Sequence, residues 1–250
     1  MITSIGVRYK MDFLNQSIVT KTHRSDDLID IDIEGHSFVM DLTDEFNSKF
    51  INFAKRGNGF KENEVYEPAT SRALVALSKK YDIKRAYDIG CQNLYTTLQM
   101  QRIFDCDVVG YDIDETALNA ARINLKLNGS ISVEIVERGI GDGADGNLTL
   151  NELEGADLVF IDIEGYQAKV FESGLPWIEK HRPIIVYETD NPVASLWIKP
   201  DREILEPISK IDYVFYLCSD HRKNKPFNEI ECKNIPEADG LLVCIPREKL

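Results

Sequence analysis

The sequence predicts an α/β fold in which helices cover both faces of a doubly wound, mostly parallel, seven-stranded sheet. Two observations carry this prediction. From residue 85 onward, short apolar stretches alternate with helical patterns, and the stretches "LVFI" and "IIVY" are apolar throughout, as strands buried on both faces are. The first strand of the alternating series, "RAYDI", leads into its helix through the glycine loop "YDIGCQN", which is typical of a ligand-binding turn.

The N-terminal part, residues 1–65, is predicted to be an extension made of a β-hairpin and a helix. Apolar residues alternate on either side of a Glu-Gly-His turn and give the hairpin one buried face; they are Ile29, Ile31, Ile33, Phe38, Met40 and Leu42. The phenylalanines of "TDEFNSKFINFAKRGNG" then recur at helical spacing. Thr43 or Asp44 can cap that helix, and Gly57 can end it.

Residues 66–250 form the predicted sheet domain. Its first helix begins at Pro68 and runs to Lys80. Strand and helix then alternate through "RAYDIG", "LYTTLQMQRIF", "DVVGYDI", "DETALNAARINLKLNG", "ISVEIV" and "ADLVFIDI". Asp114 is suited to cap the strongest of these helices, and Gly129 to close it.

The C-terminal third continues the pattern less regularly. The helix in "GYQAKVFESGLPWIEKH" is expected to end near Ser173, because Gly174 and Pro176 follow. "RPIIVYE" is a buried strand and "DREILEPISKI" a broken helix. The strands "DYVFYLCSD" and "ADGLLVCIP" follow each other without a helix, so we expect them to pair antiparallel at one edge. The polar segment between them, "HRKNKPFNEIECKNIPE", is predicted to be a surface loop.

Composition narrows the functional classes. A formal net charge of −13 argues against a nucleic-acid partner, which requires clustered Lys and Arg. The chain has five cysteines, at Cys91, Cys106, Cys218, Cys232 and Cys244. Their odd number and the lack of a CxxC pair argue against a zinc site and a disulfide framework, so we expect a reducing, cytoplasmic environment. No signal peptide or membrane span is expected.

The glycine loop indicates an adenosine-containing ligand without a pyrophosphate. Asp88 ends the first strand and Gly90 follows it, yet neither GxGxxG nor GK[ST] is present. Asp112 ends the next strand 24 residues after Asp88, where a carboxylate can accept both ribose hydroxyls. S-adenosylmethionine fits this pattern, because it carries adenosine and no phosphate. Asp88 is then expected to face its cationic end.

From "VYEPATSRAL" to the C-terminus, the chain resembles the FkbM family of S-adenosylmethionine-dependent methyltransferases, which have a class I, Rossmann-like fold. The similarity lies in the Tyr66-Glu67 pair, in "DIGCQNLY" where the family has D-x-G-A-N-x-G-Y, and in "LVFIDIEGYQAKVFESG". "GYDIDETALNAARINLKLNG" and "RGIGDGADGNLTLNEL" are similar in kind. Departures from the family pattern include Gln92 in place of Asn, Leu94 in place of Gly, and Gln167 in place of Glu.

The resemblance, together with the strand-end argument, assigns the site residues. The cofactor-binding residues are expected to be Glu67, Asp88, Gly90, Cys91, Asp112, Ile113, Gly141 and Asp142. Because Leu94 replaces a glycine that permits tight helix–strand packing, we expect weakened or reshaped cofactor binding rather than its loss.

Catalysis is assigned to Asp162, Glu164 and Glu188. A carboxylate in a dry pocket can take the proton of an acceptor hydroxyl, and Asp162 is the first choice. No metal is assigned. An alternative is a Mg²⁺ site in which Asp162 joins Glu188, Asp190 and Asn191, as in catechol-type O-methyltransferases.

The predicted function is methyl transfer to a hydroxyl of a small molecule, and the resemblance alone implies a sugar or a secondary metabolite. The absence of an NPPY or DPPY motif counts against methylation of a base amine. Two alternatives stay open: a degenerate, non-catalytic methyltransferase fold, suggested by Leu94, and methylation of a protein. His221 lies in the late polar loop and is expected to face solvent.

Overall fold

A computed structural model of the protein describes residues 12–56, 65–129, 132–189 and 199–250. Its strands form one three-stranded and one eight-stranded sheet. The strands of the small sheet are β1 (Thr20–Arg24), β2 (Leu28–Ile33) and β3 (His36–Asp41). Those of the large sheet are β4 (Arg85–Ile89), β5 (Asp107–Asp112), β6 (Val133–Glu137), β7 (Leu158–Ile161), β8 (Ile184–Thr189), β9 (Tyr213–Cys218), β10 (Phe227–Ile230) and β11 (Gly240–Pro246).

The large sheet confirms the predicted doubly wound α/β class. Its order is β10-β9-β11-β8-β7-β4-β5-β6, and the five strands from β8 to β6 are parallel. The strand order reverses beside β4, so the loops after β4 and β7 open a crevice at the carboxyl edge. As expected, β9 and β11 pair antiparallel, but β11 lies inside the sheet, between β8 and β9.

The antiparallel edge strand comes from a segment that was predicted to be a surface loop. β10 pairs with β9, which brings the sheet to eight strands rather than seven. Phe227 is buried, and the Asn15 side chain binds both its N–H and its carbonyl, at 2.7 and 2.9 Å. Four residues with a single buried apolar side chain give too short an alternation for the sequence to indicate a strand.

Seven helices connect these strands within the described residues. They are α1 (Glu45–Arg56), α2 (Pro68–Ser78), α3 (Tyr95–Phe104), α4 (Glu115–Asn128), α5 (Gln167–His181), α6 (Asp201–Ile204) and α7 (Glu206–Lys210). The caps of α1 and α4 are confirmed, since Asp44 and Asp114 each accept two backbone N–H groups. The predicted end of α1 at Gly57 lies outside the described residues.

Helix α5 is longer than predicted, because it continues past Ser173 to His181 with Pro176 inside it. The expected stop was wrong for a packing reason. A side chain at Gly174 would place its Cβ 2.5 Å from the Leu150 side chain, so the glycine allows close contact rather than a turn.

The small sheet packs through β3 on helices α3 and α4. Its residues such as Ile31 and Met40 belong to the same apolar core as the large-sheet residues Val186 and Val243. The predicted hairpin is confirmed as β2 and β3, and a third strand, β1, pairs with β2. β1 is polar and mostly exposed, which is why no alternation marks it. In the described parts of the chain, no helix has both the length and the apolar character needed to cross a bilayer.

Candidate active site

Two adjoining cavities open at the carboxyl edge of the large sheet. The first has a volume of about 530 Å³ and lies over the ends of β4, β5 and β7. The second has about 320 Å³ and lies between β4, β8 and the start of α2. Both are lined by Gly90, Gln92, Asp162 and Glu164, so the cavities meet where the loops after β4 and β7 touch.

Gly90 makes this contact possible. Its φ is +94°, and a Cβ at this position would lie 1.8 Å from the carbonyl oxygen of Asp162. The N–H groups of Gly90 and Cys91 donate to the Tyr111 carbonyl at 2.9 and 3.1 Å, which fixes the loop against β5. Only glycine fits here, because both the conformation and the space exclude a side chain.

Leu94 fits into the loop because a glycine on the neighbouring strand makes room. Leu94 adopts the left-handed conformation, with φ 71°, that glycine supplies most easily, and its side chain is fully buried. A Cβ on Gly110 would lie 2.9 Å from the Cys91 side chain and 3.5 Å from the Leu94 side chain. The leucine therefore fills a space beneath the loop and lines neither cavity.

Asp112 presents a carboxylate that the backbone holds in place on the wall of the first cavity. Its Oδ2 accepts the N–H of Gln92 at 2.8 Å, and its Oδ1 accepts those of Ile113 and Asp114 at 2.7 and 2.9 Å. The Ile113 side chain beside it is 73% exposed, an apolar surface open to a ligand. Carboxylate and isoleucine together suit a sugar ring bearing a flat base.

Asp88, predicted to face the ligand, lines neither cavity. It is fully buried below the loop, where its Oδ2 accepts the Thr97 hydroxyl and its Oδ1 has no partner. Burial, helped by the charge of Asp112, raises the pKa of Asp88 to about 7. The strand-end pattern located the residue correctly. Side chains alternate in direction along a strand, however, and that of Asp88 points into the core.

Gly141 and Asp142 were predicted to reach the adenine edge, and both lie outside the first cavity. The Gly141 N–H and carbonyl bind the Leu148 carbonyl and the Ser173 hydroxyl, and Asp142 pairs with Lys169 at 2.8 Å. The cavity wall is formed slightly earlier in the chain and across the loop, by Gly139, Ile140 and Asn147.

The loop after β7 supplies the carboxylates between the cavities. Asp162 is half-buried and Glu164 is exposed, and both line the two cavities. Glu164, Gln92 and Glu67 all adopt left-handed backbone conformations, with φ of 50°, 43° and 47°. Non-glycine residues in this conformation are strained by about 1–3 kcal/mol and concentrate at functional sites.

The second cavity combines aromatic rings with acidic groups. Phe50, Tyr66 and Tyr95 line it, with ring centroids 5.1–5.9 Å apart. Glu67 and Glu188, predicted for cofactor binding and catalysis respectively, lie at its far side. Both are only 6% exposed, so their carboxylates require partners.

Their partners are His221 and Arg222, which the sequence did not identify. The prediction that His221 faces solvent was wrong: its side chain is 1% exposed, and its Nε2 lies 3.3 Å from one oxygen of Glu67 and one of Glu188. Arg222 Nη2 lies 3.0 Å from the same Glu188 oxygen, and its Nε 3.6 Å from Glu67. We call these four residues the ionic cluster.

Charges within the ionic cluster shift each pKa. Burial lowers the pKa of His221, but the two carboxylates outweigh burial and raise it to about 10. Burial, with the charge of Glu67, raises the pKa of Glu188. Burial also raises the pKa of Glu67, yet the nearby positive charges of His221 and Arg222 lower it on balance.

A second buried polar group, the amide cluster, ties the glycine loop to the N-terminal extension. Asn47 Oδ1 accepts hydrogen bonds from Asn93 and Asn124, both at 3.0 Å. Asn124 also donates to the Asn93 carbonyl at 2.9 Å and accepts the Asp41 N–H at 2.9 Å. All three asparagines are fully buried, and none of their side-chain atoms lacks a partner.

Signals for the missed residues were partly present in the sequence. His221 and Arg222 follow β9, whose carboxyl end shares the edge used for the other site residues. Asn147 and Tyr166, which also line the first cavity, lie in loops where spacing carries no information. Asp190 and Asn191, proposed as metal ligands beside Glu188, lie outside the described residues.

No protein-family model matches the sequence, and neither does any curated protein. Solved structures are similar to it. An O-methyltransferase from Bacillus cereus in complex with SAH is 17% identical, with a TM-score of 0.53, over 80% of this chain and 90% of that one.

Two further structures align less closely. The precorrin-6y C5,15-methyltransferase from Geobacter metallireducens GS-15 is 14% identical, with a TM-score of 0.48, over 71% of this chain and 88% of its own. Methyltransferase FkbM from Methylobacillus flagellatus KT is 12% identical, with a TM-score of 0.47, over 80% of this chain and 60% of its own. The strand order and the Bacillus cereus structure show that this chain has the Rossmann-like fold of class I methyltransferases.

Proposed function

We propose that the protein is an S-adenosylmethionine-dependent methyltransferase that binds its cofactor in the first cavity. The observation that carries the proposal is the Asp112 carboxylate, which three backbone N–H groups hold at the cavity wall next to the Gly90 bend. Oδ1 accepts two of these N–H groups and Oδ2 only one, so Oδ2 keeps a lone pair for a ribose hydroxyl. A preorganised acceptor of this kind costs little to order when a ligand binds.

The rest of the first cavity suits the same ligand. Ile113 and Ile140 offer apolar surface to an adenine ring, and the Asn147 amide can meet its polar edge. No Lys or Arg lies among the described lining residues, whereas Asp112, Asp114 and Asp162 do. Such a cavity disfavours a phosphate and favours a ligand whose sulfonium and ammonium groups are positive.

The second cavity is the proposed acceptor site. Its volume of about 320 Å³ suits a small molecule, and its aromatic rings with acidic groups suit a hydroxylated one. The sugar or secondary-metabolite acceptor and the FkbM type belong to this proposal through the sequence resemblance. The non-catalytic alternative depended on Leu94, which lies beneath the loop and away from both cavities.

Transfer would take place where the cavities meet. Gly90 lets the loop approach Asp162 closely enough that a methyl group at the junction can face an acceptor oxygen in the second cavity. Asp162 lines both cavities and is placed to orient that hydroxyl and accept its proton. Glu164 lies at the same junction, and Glu188 lies at the far side of the acceptor site.

Calorimetry with S-adenosylhomocysteine tests the cofactor site. The wild-type protein should bind it, and Asp112→Ala should weaken binding about 100-fold, because a charge-assisted hydrogen bond is lost. Asp142→Asn is the matched control, since this nearby acid pairs with Lys169 outside the cavity. No binding to wild-type protein at millimolar ligand would favour the non-catalytic alternative.

Transfer of a labelled methyl group to a panel of sugars, metabolites and peptides tests the reaction. Asp162→Asn should reduce turnover of an identified acceptor about 100-fold and leave S-adenosylhomocysteine affinity nearly unchanged. Equal turnover in wild type and variant would remove Asp162 from the mechanism. A peptide acceptor would replace the small-molecule assignment.

A further inference from the structure

Three residues of the ionic cluster bring metal-ligating atoms together from distant parts of the chain. Glu67 precedes α2, Glu188 is the penultimate residue of β8, and His221 follows β9. All three are at least nine-tenths buried, and one ligand atom of each lies within 4.8 Å of the other two. Glu67 and Glu188 line the second cavity, and the buried His221 imidazole lies against both carboxylates without lining it.

The contacts within this group are not those of a closed hydrogen-bond network. Neither ring nitrogen of His221 makes a hydrogen bond, although Nε2 lies 3.3 Å from both carboxylates. The second oxygen of Glu188, Oε2, is likewise buried without a partner. Buried polar atoms without partners are rare, and a missing ion is one of their usual causes.

The spacing matches that of neighbouring ligands around a small cation. Donors bound at about 2.0–2.2 Å and at right angles to each other lie about 3 Å apart. The 3.3 Å separations of the His221 nitrogen from Glu67 and Glu188 are close to this value. Two carboxylates also balance the charge of a divalent ion, and a nitrogen ligand favours Mn²⁺, Fe²⁺ or Zn²⁺ over Ca²⁺.

Two cavities border the group. Glu67 and Glu188 line the second cavity, and a third cavity of about 500 Å³ is lined by Asp220, His221, Arg222 and Asp239. Arg222 contacts Glu188 through Oε1 and leaves Oε2 available. An ion that enters the second cavity therefore has an unused oxygen to bind.

We propose that Glu67, Glu188 and His221 bind a divalent transition-metal cation, which holds an oxygen of the acceptor in the second cavity. The role toward the acceptor rests on the proposed methyltransferase function. With three protein ligands, the cation keeps coordination positions open to the cavity. Because Glu67 and Glu188 lie at its far side, the bound oxygen would anchor the acceptor there, while the hydroxyl that reacts faces Asp162 where the cavities meet.

The test is a titration of EDTA-treated, full-length protein with Mn²⁺ in the absence of cofactor, followed by the electron paramagnetic resonance signal of free Mn²⁺, and with Zn²⁺ by calorimetry. We expect one ion per chain, with affinity reduced at least 100-fold in both Glu188→Gln and His221→Gln. Asp239→Asn is the matched control, since this acid faces Arg222 at 3.7 Å without belonging to the group, and it should bind as wild type does.

Absence of binding up to 1 mM of either metal, in protein that circular dichroism shows to be folded, would overturn the proposal. Wild-type affinity in both variants would overturn it as well, because the ion would then lie elsewhere. Anomalous diffraction from a Mn²⁺-soaked crystal of the wild-type protein gives an answer that does not depend on how the variants fold. S-adenosylhomocysteine binding without metal binding would overturn the metal site alone. Metal binding without S-adenosylhomocysteine binding would overturn the proposed function alone.

Discussion

The amide cluster and the ionic cluster both adjoin the glycine loop, and both are buried except for the half-buried Arg222. In the amide cluster, formed by Asn47, Asn93 and Asn124, every side-chain oxygen and nitrogen has a hydrogen-bond partner. In the ionic cluster, His221 and Glu188 keep buried atoms without partners. The chain thus surrounds one loop with a satisfied neutral network and an unsatisfied charged one.

The difference separates stability from function. A satisfied network of neutral groups rigidifies the fold, whereas an unsatisfied buried group costs about 1–3 kcal/mol that a ligand can recover. The amide cluster anchors the Asn93 carbonyl of the loop to Asn124 of α4. The ionic cluster faces the second cavity instead. Substitutions in the amide cluster should therefore reduce stability, whereas substitutions in the ionic cluster should reduce ligand binding and change stability little.

The largest effect should come from the loop between the clusters. Gly90→Ala should destabilise the protein by more than about 4 kcal/mol and abolish S-adenosylhomocysteine binding, because its Cβ would overlap the Asp162 carbonyl. Gly35→Ala is the matched control. Its φ is +87°, but no atom beyond the neighbouring residues lies within 4 Å of the added Cβ, so backbone strain alone should cost about 1–2 kcal/mol. Urea unfolding of both variants measures the difference, and equal costs would contradict the packing account.

The next effect compares the clusters directly. Asn124→Ala should lower the free energy of unfolding by about 3–5 kcal/mol, because it removes the acceptor of the buried Asn47 Nδ2 and of the Asp41 N–H. Glu188→Gln keeps the volume of the side chain and removes a charge that burial disfavours, so the cost should stay within about 1 kcal/mol. Similar losses of stability in chemical denaturation would show that the ionic cluster is structural too.

Asp88, which belongs to neither cluster, adds a pH-dependent term to the stability of the fold. Its folded pKa is about 7, above the ordinary 3.8, so the unfolded chain releases this proton first as pH rises. Stability should therefore fall between pH 4 and pH 7 by about 3–4 kcal/mol through this group, and the loss should be complete above pH 7. Asp88→Asn should not show this part of the slope. Parallel stability–pH curves for wild type and variant would mean that Asp88 ionises normally.

The smallest effects refine the wall of the first cavity. Asn147→Ala should weaken S-adenosylhomocysteine binding about 5- to 10-fold, because one hydrogen bond to a ligand contributes about 1 kcal/mol. Asp142→Asn should change the affinity less than 2-fold, since its carboxylate binds Lys169 and the Ala144 N–H instead. Calorimetry distinguishes the two, and the reverse order would restore the original sequence assignment.

The fold could be predicted from the sequence because the strands of the large sheet are apolar enough to be recognised there. Strands such as Ile184–Thr189 are buried at every position, and Asp114 and Gly129 mark the ends of α4. β1 and β10 escaped prediction because edge strands carry polar side chains. Pro176 and Gly174 led to the wrong end for helix α5, because packing against Leu150 outweighs local helix preference.

The candidate site was predictable only in part. Strand ends pointed to Asp112, Asp162 and Glu188, all of which line the cavities. The direction of the Asp88 side chain depends on which face of the strand is buried, and the position of His221 depends on a pairing across the chain. Neither depends on local sequence, so neither could be predicted from it.

A crystal structure of the protein with S-adenosylhomocysteine is the most direct test of the central claim. We expect a ribose hydroxyl about 2.7–3.0 Å from Oδ2 of Asp112 and the sulfur beside Gly90, facing the second cavity. A nucleoside bound elsewhere, or a ribose that does not contact Asp112, would contradict it.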